Sequence, residues 1–279
     1  MAYSAEISRT SPTCFLFVID QSGSMADPFG GEPGVTKARR LADATNRLLQ
    51  ELVLRCAKEE GVRDYFHVGV IGYGATVGPA FVGPLAGKEL VPISQVADNP
   101  VRLDEKVKKV DDGAGGLVDQ TIRLPIWLDP VANDGTPMCT AFRMVRTIIS
   151  GWVSQHPDGF PPVVLHVTDG EATDGDPTSE LRGVTDLSSS DGNVILFNIN
   201  VSSRAAKPIS FPSTSDGLPD QYATMLFDTA SLLTPAMRTI AAKEYQLEVG
   251  DNSRAMVFNA DSGLVIMALD IGTRPGNLR

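Results

Sequence analysis

The sequence predicts an α/β protein built on a parallel sheet, on three observations. Short runs rich in β-branched and aromatic residues alternate with stretches of helical periodicity along the 279 residues. Several of these runs are continuously apolar, the pattern of strands buried on both faces, rather than alternating. They also end in Asp, Gly and Ser, residues that turn the chain at a strand end.

The elements follow in order. Thr13 to Asp20 is a continuous apolar strand. From Gly34 to about Glu60, Ala38, Leu41, Thr45, Leu48, Leu52 and Cys56 form one helical stripe, opposed by Arg39, Arg40, Asp43, Arg47 and Glu51. Tyr65 to Tyr73 and Thr76 to Val82 read as two strands joined by a Gly-containing turn, an antiparallel hairpin at a sheet edge. Residues 83–135 are rich in Pro, Gly and Asp. Within them Arg102 to Lys109 is expected as a short helix and Gln120 to Leu128 as a strand, and there are too few apolar residues for a second core. Pro137 to about Gln155 is a helix, Pro162 to Thr168 a buried strand, and Pro177 to Leu187 a helix opened by Pro. Asn193 to Val201 is a strand and Ser202 to Gln221 a polar loop. Ala223 to Asp228 is expected as a strand and Pro235 to about Tyr245 as a helix. Ala255 to Ala260 and Leu264 to Ile271 are apolar patches whose type the pattern leaves open. No internal repeat is visible.

Composition bounds the function. With 42% hydrophobic and 21% charged residues the chain is an ordinary globular one. A net charge of −10 argues against sequence-independent nucleic-acid binding, which needs a surplus of Lys and Arg. Cys14, Cys56 and Cys139 are odd in number and widely spaced, so they read as small buried hydrophobes, and no disulfide framework is implied. No segment approaches the roughly 18 apolar residues of a membrane span. The run from Cys14 to Ile19 follows Arg9 but is too short for a secretory signal and lacks a small-residue cleavage site.

The candidate chemistry lies at strand ends. The first strand closes in Asp20-Gln-Ser22-Gly-Ser24, three oxygen side chains at alternate positions of a tight turn, with Gly23 easing the bend. Oxygen-only donors favour a hard cation such as Mg²⁺, with Mn²⁺ or Ca²⁺ as alternatives. Read alone, the triplet also suits a turn capped by polar side chains. Two more pieces add weight: Asp169 follows a buried strand in Val-Thr-Asp-Gly-Glu, and Thr136 sits in Asp134-Gly-Thr-Pro ahead of a helix.

In these motifs the chain resembles the von Willebrand factor A (vWA) family, whose metal-ion-dependent adhesion site is Asp-x-Ser-x-Ser, then a distant Thr, then a distant Asp. Asp20, Ser22, Ser24, Thr136 and Asp169 match it in the family's order, with Thr136 preferred over its neighbour Thr140 on the Gly-Thr-Pro context. The resemblance spans about residues 13 to 246. It implies a doubly wound, mostly parallel sheet with helices on both faces and an antiparallel edge strand. Residues 1–12 would be an N-terminal arm, 83–135 an insertion, and 247–279 a C-terminal extension packing on the domain. It also implies that the strands ending in Asp20 and Asp169 are neighbours where strand order reverses, the place ligands bind in open α/β sheets.

The resemblance further implies a function: a Mg²⁺ that binds a Glu or Asp of a partner protein in its open coordination position. The expected role is a cytoplasmic adaptor, like the bacterial intracellular members of tellurite-resistance and chemical-stress gene clusters. Its partners would then be a kinase or phosphatase system or an AAA+ ATPase. A secreted or surface adhesive protein is the alternative. In some members metal ligation is coupled to sliding of the last helix, here expected at Pro235 to Tyr245, and the tail beyond Gly250 would clamp that helix or extend the sheet. A Mg²⁺-dependent hydrolase or phosphatase is disfavoured, because Ser22 stands where phosphotransferases of this kind carry a second carboxylate. There is also no Gly-x-Ser-x-Gly elbow. Glu171, Asp174 and Asp176 are expected as an acidic rim or, the favoured reading, as solvated loop charges, and His166 as a core histidine. The Asp111 to Gly116 segment lacks the Lys-Ser/Thr ending of a phosphate loop.

Overall fold

Successive residues of the first strand, β1 (Thr13–Asp20), enter two different cores. Phe15, Phe17 and Ile19 pack on one side of the sheet, and Cys14, Leu16 and Val18 on the other. Because side chains alternate across a strand, a run apolar at every position needs cover on both faces. The computed structural model describes residues 3–29, 34–111, 116–201 and 207–274, and it supplies that cover.

After β1 come α1 (Lys37–Cys56), β2 (Phe66–Tyr73), β3 (Val77–Pro79), α2 (Ile93–Asp98), β4 (Arg102–Asp111) and β5 (Leu117–Ile126). Then follow α3 (Met138–Gln155), β6 (Val163–Thr168), α4 (Thr178–Thr185), β7 (Ile195–Val201), α5 (Gln221–Thr229), α6 (Pro235–Glu244), β8 (Met256–Ala260) and α7 (Ser262–Gly272). The main sheet runs β8-β7-β6-β1-β2-β3. All neighbours from β8 to β2 are parallel, and β3 closes one edge antiparallel to β2. The short strand Ile209–Ser210 closes the other edge, antiparallel to β8. From β1 the chain goes to β2 on one side and later to β6 on the other. The reversal of strand order therefore lies between β1 and β6, as expected for a doubly wound sheet.

On one face the stripe of α1 (Leu41, Leu48, Leu49, Leu52) meets Phe15 and Phe17 together with Val265 and Ile271 of α7. On the other, Phe142, Val145 and Ile149 of α3 and Leu181 and Val184 of α4 meet Leu16 and Val18. Asn46 of α1 fastens the segment after β5: its amide donates to Leu128 O, and its carbonyl accepts from Trp127 N and Leu128 N.

The structure corrects several local expectations. Arg102 to Lys109 is a strand, not a helix; β4 and β5 form a ten-pair antiparallel ribbon. Glu and Lys favour helix only weakly, and pairing with a complementary strand overrides them, as where Glu105 meets Arg123 at 3.2 Å. Ala223 to Asp228 is helical, not extended. The Asp220 carboxylate caps α5 by accepting from Ala223 N at 2.7 Å, and Ala223, Leu226 and Phe227 share its buried face. The first helix stops at Cys56 rather than near Glu60, because Ala57–Lys58 folds back on Gly61–Val62 with Gly61 at φ 115°.

Of the two expectations for the tail beyond Gly250, the structure shows the extension of the sheet. β8 pairs with β7 inside the sheet, and α7 sits in the same core as α1. The sheet thus continues past 246, and the last helix is α7, not Pro235 to Tyr245. Within 83–135, Val91–Pro92 pairs with β2, and Ile93, Val96 and Trp127 join the core. The Asp111 to Gly116 loop falls largely outside the described residues, as does the start of the Ser202 to Gln221 loop.

Candidate metal centre

β1 and β6 lie side by side, with Phe15 opposite Val163 and Ile19 opposite Val167. Their carboxyl ends therefore deliver Asp20 and Asp169 to the switch point together. Thr168 Oγ1 donates to Asp20 Oδ2 at 3.0 Å and also contacts Gly170 O at 3.0 Å, tying the two strand ends. Asp20 folds its other oxygen back onto the turn, where Oδ1 accepts from Ser22 N at 2.9 Å.

That bond bends the chain so that Ser22 and Ser24 face one another, with hydroxyl oxygens 3.1 Å apart. Ser24 Oγ then donates to Asp169 Oδ1 at 2.7 Å. Four of the five residues singled out by the sequence are thus joined by direct hydrogen bonds. Thr136 is held beside them through backbone. Asn133 N donates to Gln21 O and Gly23 N to Asp134 O, each at 2.7 Å, with Asp134 at φ 62°. Beyond the turn, Thr136 N donates to Thr173 Oγ1 at 2.9 Å and Thr136 O accepts from Thr173 N at 2.9 Å. The rival Thr140 is committed elsewhere, donating through Oγ1 to Asp174 Oδ2 at 2.8 Å.

Close backbone approach at this corner requires glycine. A Cβ on Gly74 would lie 2.5 Å from Gln21 O and 2.8 Å from Asn133 O, both backbone atoms with no freedom to withdraw. Gly74 therefore lets the end of β2, the serine turn and the Thr136 loop converge.

The electrostatics are those of a site short of positive charge. Asp20, Ser22 and Thr136 are buried, and the Asp169 carboxylate is fully covered. Burial pushes the Asp20 carboxyl above its ordinary range and the charge of Asp169 adds to the effect, against the hydrogen bonds from Ser22 and Thr168. Tyr222 OH donates to Thr168 Oγ1 at 3.2 Å, so α5 also leans on this corner.

The geometry admits a hard cation. Adjacent ligands of an octahedral Mg²⁺, at bonds of about 2.1 Å, lie about 3.0 Å apart. The Ser22 and Ser24 oxygens already have that separation. Among the described residues no group of three or more His, Cys, Asp or Glu side chains comes together; a hydroxyl-based centre has only two carboxylates.

Two acidic residues near the site are structural. Asp174 caps α3, accepting from Cys139 N at 3.0 Å and Thr140 N at 2.8 Å. Against the opposing effect of desolvation, these bonds hold its carboxyl below the usual range. Asp176 accepts from Thr178 N and Oγ1. The sequence reading missed Lys37, at the first position of α1. Its ammonium is buried and donates to Asp169 Oδ2 at 2.7 Å. The available signal was its phase: Lys37 stands four residues before Leu41, so it begins the apolar stripe rather than the charged face.

No family model matches the chain, and no curated protein does. Among solved structures, the proximal thread matrix protein 1 from the mussel byssus is similar over 98% of this chain and 49% of its own, at 14% identity and a TM-score of 0.48. The chain thus spans about half the length of that protein. Three N-terminal domains of the type V pili tip protein Mfa5 from Porphyromonas gingivalis align over 58% of this chain and 20% of theirs, at 17% identity and a TM-score of 0.31. The vWF domain of Mfa5 aligns over 58% of this chain and 39% of its own, at 14% identity and a TM-score of 0.29.

Proposed function

We propose that this chain is a metal-dependent protein-interaction module. Asp20, Ser22, Ser24, Thr136 and Asp169 hold Mg²⁺, or Mn²⁺ or Ca²⁺, and the ion captures an acidic side chain of a partner. The observation that carries this reading is the pair of serine hydroxyls 3.1 Å apart, flanked by two buried carboxylates at the sheet's switch point.

Each residue has a part. Ser22 and Ser24 offer neutral oxygens to the ion, as does Thr136 from the neighbouring loop. Asp20 holds the turn through Ser22 N, and Asp169 orients Ser24 by accepting its hydroxyl proton. Neutral donors leave most of the charge of a divalent ion uncompensated in its inner shell. When bound, the ion supplies the electrostatic attraction for an incoming carboxylate. The overall charge of −10 does not oppose this, because the ion's charge dominates at contact range.

A binding role suits the surroundings better than catalysis. His166 is buried behind Tyr73. His67 pairs with Cys14, six residues before Asp20 along β1, which places it about 20 Å from the turn. His156, after the end of α3, stacks on Trp152 with its ring 6.4 Å from that of His67, so Ser22 and Ser24 have no histidine base beside them. No helix among the described residues is long and apolar enough to cross a membrane. We place the module in the cytoplasm, as an adaptor for a kinase or phosphatase system or an AAA+ ATPase.

The test is a pull-down from native lysate in Mg²⁺ or in EDTA, with wild type and a Ser22→Ala/Ser24→Ala variant. A partner lost both in EDTA and with the variant supports the proposal. A partner retained in both conditions would separate binding from the metal site and refute it.

A further inference from the structure

Lys37 is a charged side chain in a place that disfavours it three times over. It is 3% exposed, so its ammonium has lost most of its water. It opens α1, where the helix dipole is unfavourable to a cation. It also stands in the apolar stripe of that helix. Such a group needs specific partners in place of water, and the structure shows them. The ammonium donates to Asp169 Oδ2 at 2.7 Å, with Asp27 Oδ2 at 3.7 Å as a second, more exposed partner. The backbone fixes this arrangement, since Lys37 N donates to Asp27 O and Asp27 N to Ser24 O, each at 3.0 Å. The start of α1 and the end of the serine turn are therefore one unit.

Asp169 is thus shared. One oxygen accepts a hydrogen bond from Ser24 Oγ, and the other accepts one from the ammonium of Lys37. We infer that Lys37 is the resident counter-cation of the metal centre. It holds Asp169 and, through it, Ser24 in position when no metal is bound. When a divalent ion enters, it repels that ion and leaves the loaded site more positive. This inference rests on the proposed metal reading and adds the charge balance of the site to it.

The charge count shows the consequence. Asp20 and Asp169 contribute −2 and Lys37 contributes +1. With the more exposed Asp27 left aside, a divalent ion therefore brings these three groups to +1, where without Lys37 they would reach zero. Lys37 trades metal affinity for attraction to an anionic group in the ion's free position. Even at the dielectric constant of water, a unit charge about 6 Å from a divalent ion changes binding by roughly ten-fold.

The experiment compares wild type with Lys37→Gln, which keeps a hydrogen-bond donor but removes the charge, and with Lys37→Arg, which keeps the charge. Lys37→Met is a second neutral variant in case Lys37→Gln does not fold. Mn²⁺ is titrated by isothermal calorimetry and the melting temperature is measured in EDTA. The expected result is Mn²⁺ binding at least roughly ten-fold tighter in the neutral variant than in wild type or Lys37→Arg. Its melting temperature in EDTA should also be lower. Equal Mn²⁺ affinity, within two-fold, in wild type and the neutral variant would overturn the role of Lys37 while leaving the metal reading intact. Absence of Mn²⁺ binding in every form would overturn both.

Discussion

His166 offers a quantitative test of the buried layer beneath the candidate site. Its Nδ1 faces Asn198 Oδ1 at 3.0 Å, and the amide of Asn198 donates to Leu226 O and Thr229 Oγ1. Asn198 is thereby fixed with its oxygen toward the ring, so His166 carries its proton on Nδ1. Its Nε2 accepts from Tyr73 OH at 2.8 Å. Burial lowers the His166 pKa to about 4, against a contrary effect of the Asn198 bond. The unfolded chain, with an ordinary histidine pKa near 6.5, therefore binds a proton that the native state refuses. Stability is intact above about pH 6.5 and is lost as the pH falls toward 4. A shift of this size is worth about 3 kcal/mol in full, of which about 2 kcal/mol is lost between pH 7 and pH 5. Urea unfolding of wild type and His166→Met at pH 7, 6 and 5 reads this directly. The variant should start about 1–3 kcal/mol less stable, because it strands Tyr73 OH and Asn198 Oδ1. It should then lose about 2 kcal/mol less than wild type over the same interval. His67, whose pKa burial also lowers, contributes to both curves and cancels in the difference. Equal losses in wild type and variant would refute the assignment of His166 as a neutral core group.

Two further predictions concern the frame of the site. Gly74→Ala should cost about 1–3 kcal/mol by thermal unfolding, and it should weaken Mn²⁺ binding because its Cβ presses on Gln21 O and Asn133 O; a neutral effect on both would show that this corner is not tightly packed. Asp174→Ala should destabilise α3 by about 1 kcal/mol through loss of its cap, seen as faster hydrogen exchange at Cys139 and Thr140; unchanged exchange there would contradict the capping role.

The parts legible in sequence were those with local signatures. Asp20, Ser22 and Ser24 stand at alternate positions of one turn, and Asp169 and Thr136 each sit in a short motif; that the two strand ends are neighbours was legible only as what the vWA resemblance implies. β1, β6 and β7 were legible because burial on both faces leaves an uninterrupted apolar run. Lys37 was legible only in its phase on the apolar stripe, because its partner Asp169 lies 132 residues away in the chain. α7 was obscured for the opposite reason. It packs against the sheet, α1 and α6, so nearly every side carries apolar residues and no amphipathic period appears. Ala223 to Asp228 reads as a strand unless the Asp220 cap ahead of it is weighed. In the β4–β5 ribbon, Gln120 to Leu128 was legible as a strand, whereas the charged Arg102 to Lys109 is held extended by pairing with it.

Whether a divalent ion sits on the serine turn is tested most directly by anomalous diffraction from crystals grown with Mn²⁺. One strong peak is expected about 2.1 Å from Ser22 Oγ and Ser24 Oγ, with Thr136 Oγ1 in the same octahedron of oxygens. No peak at that position at millimolar Mn²⁺, or a peak bound only elsewhere on the chain, would contradict it.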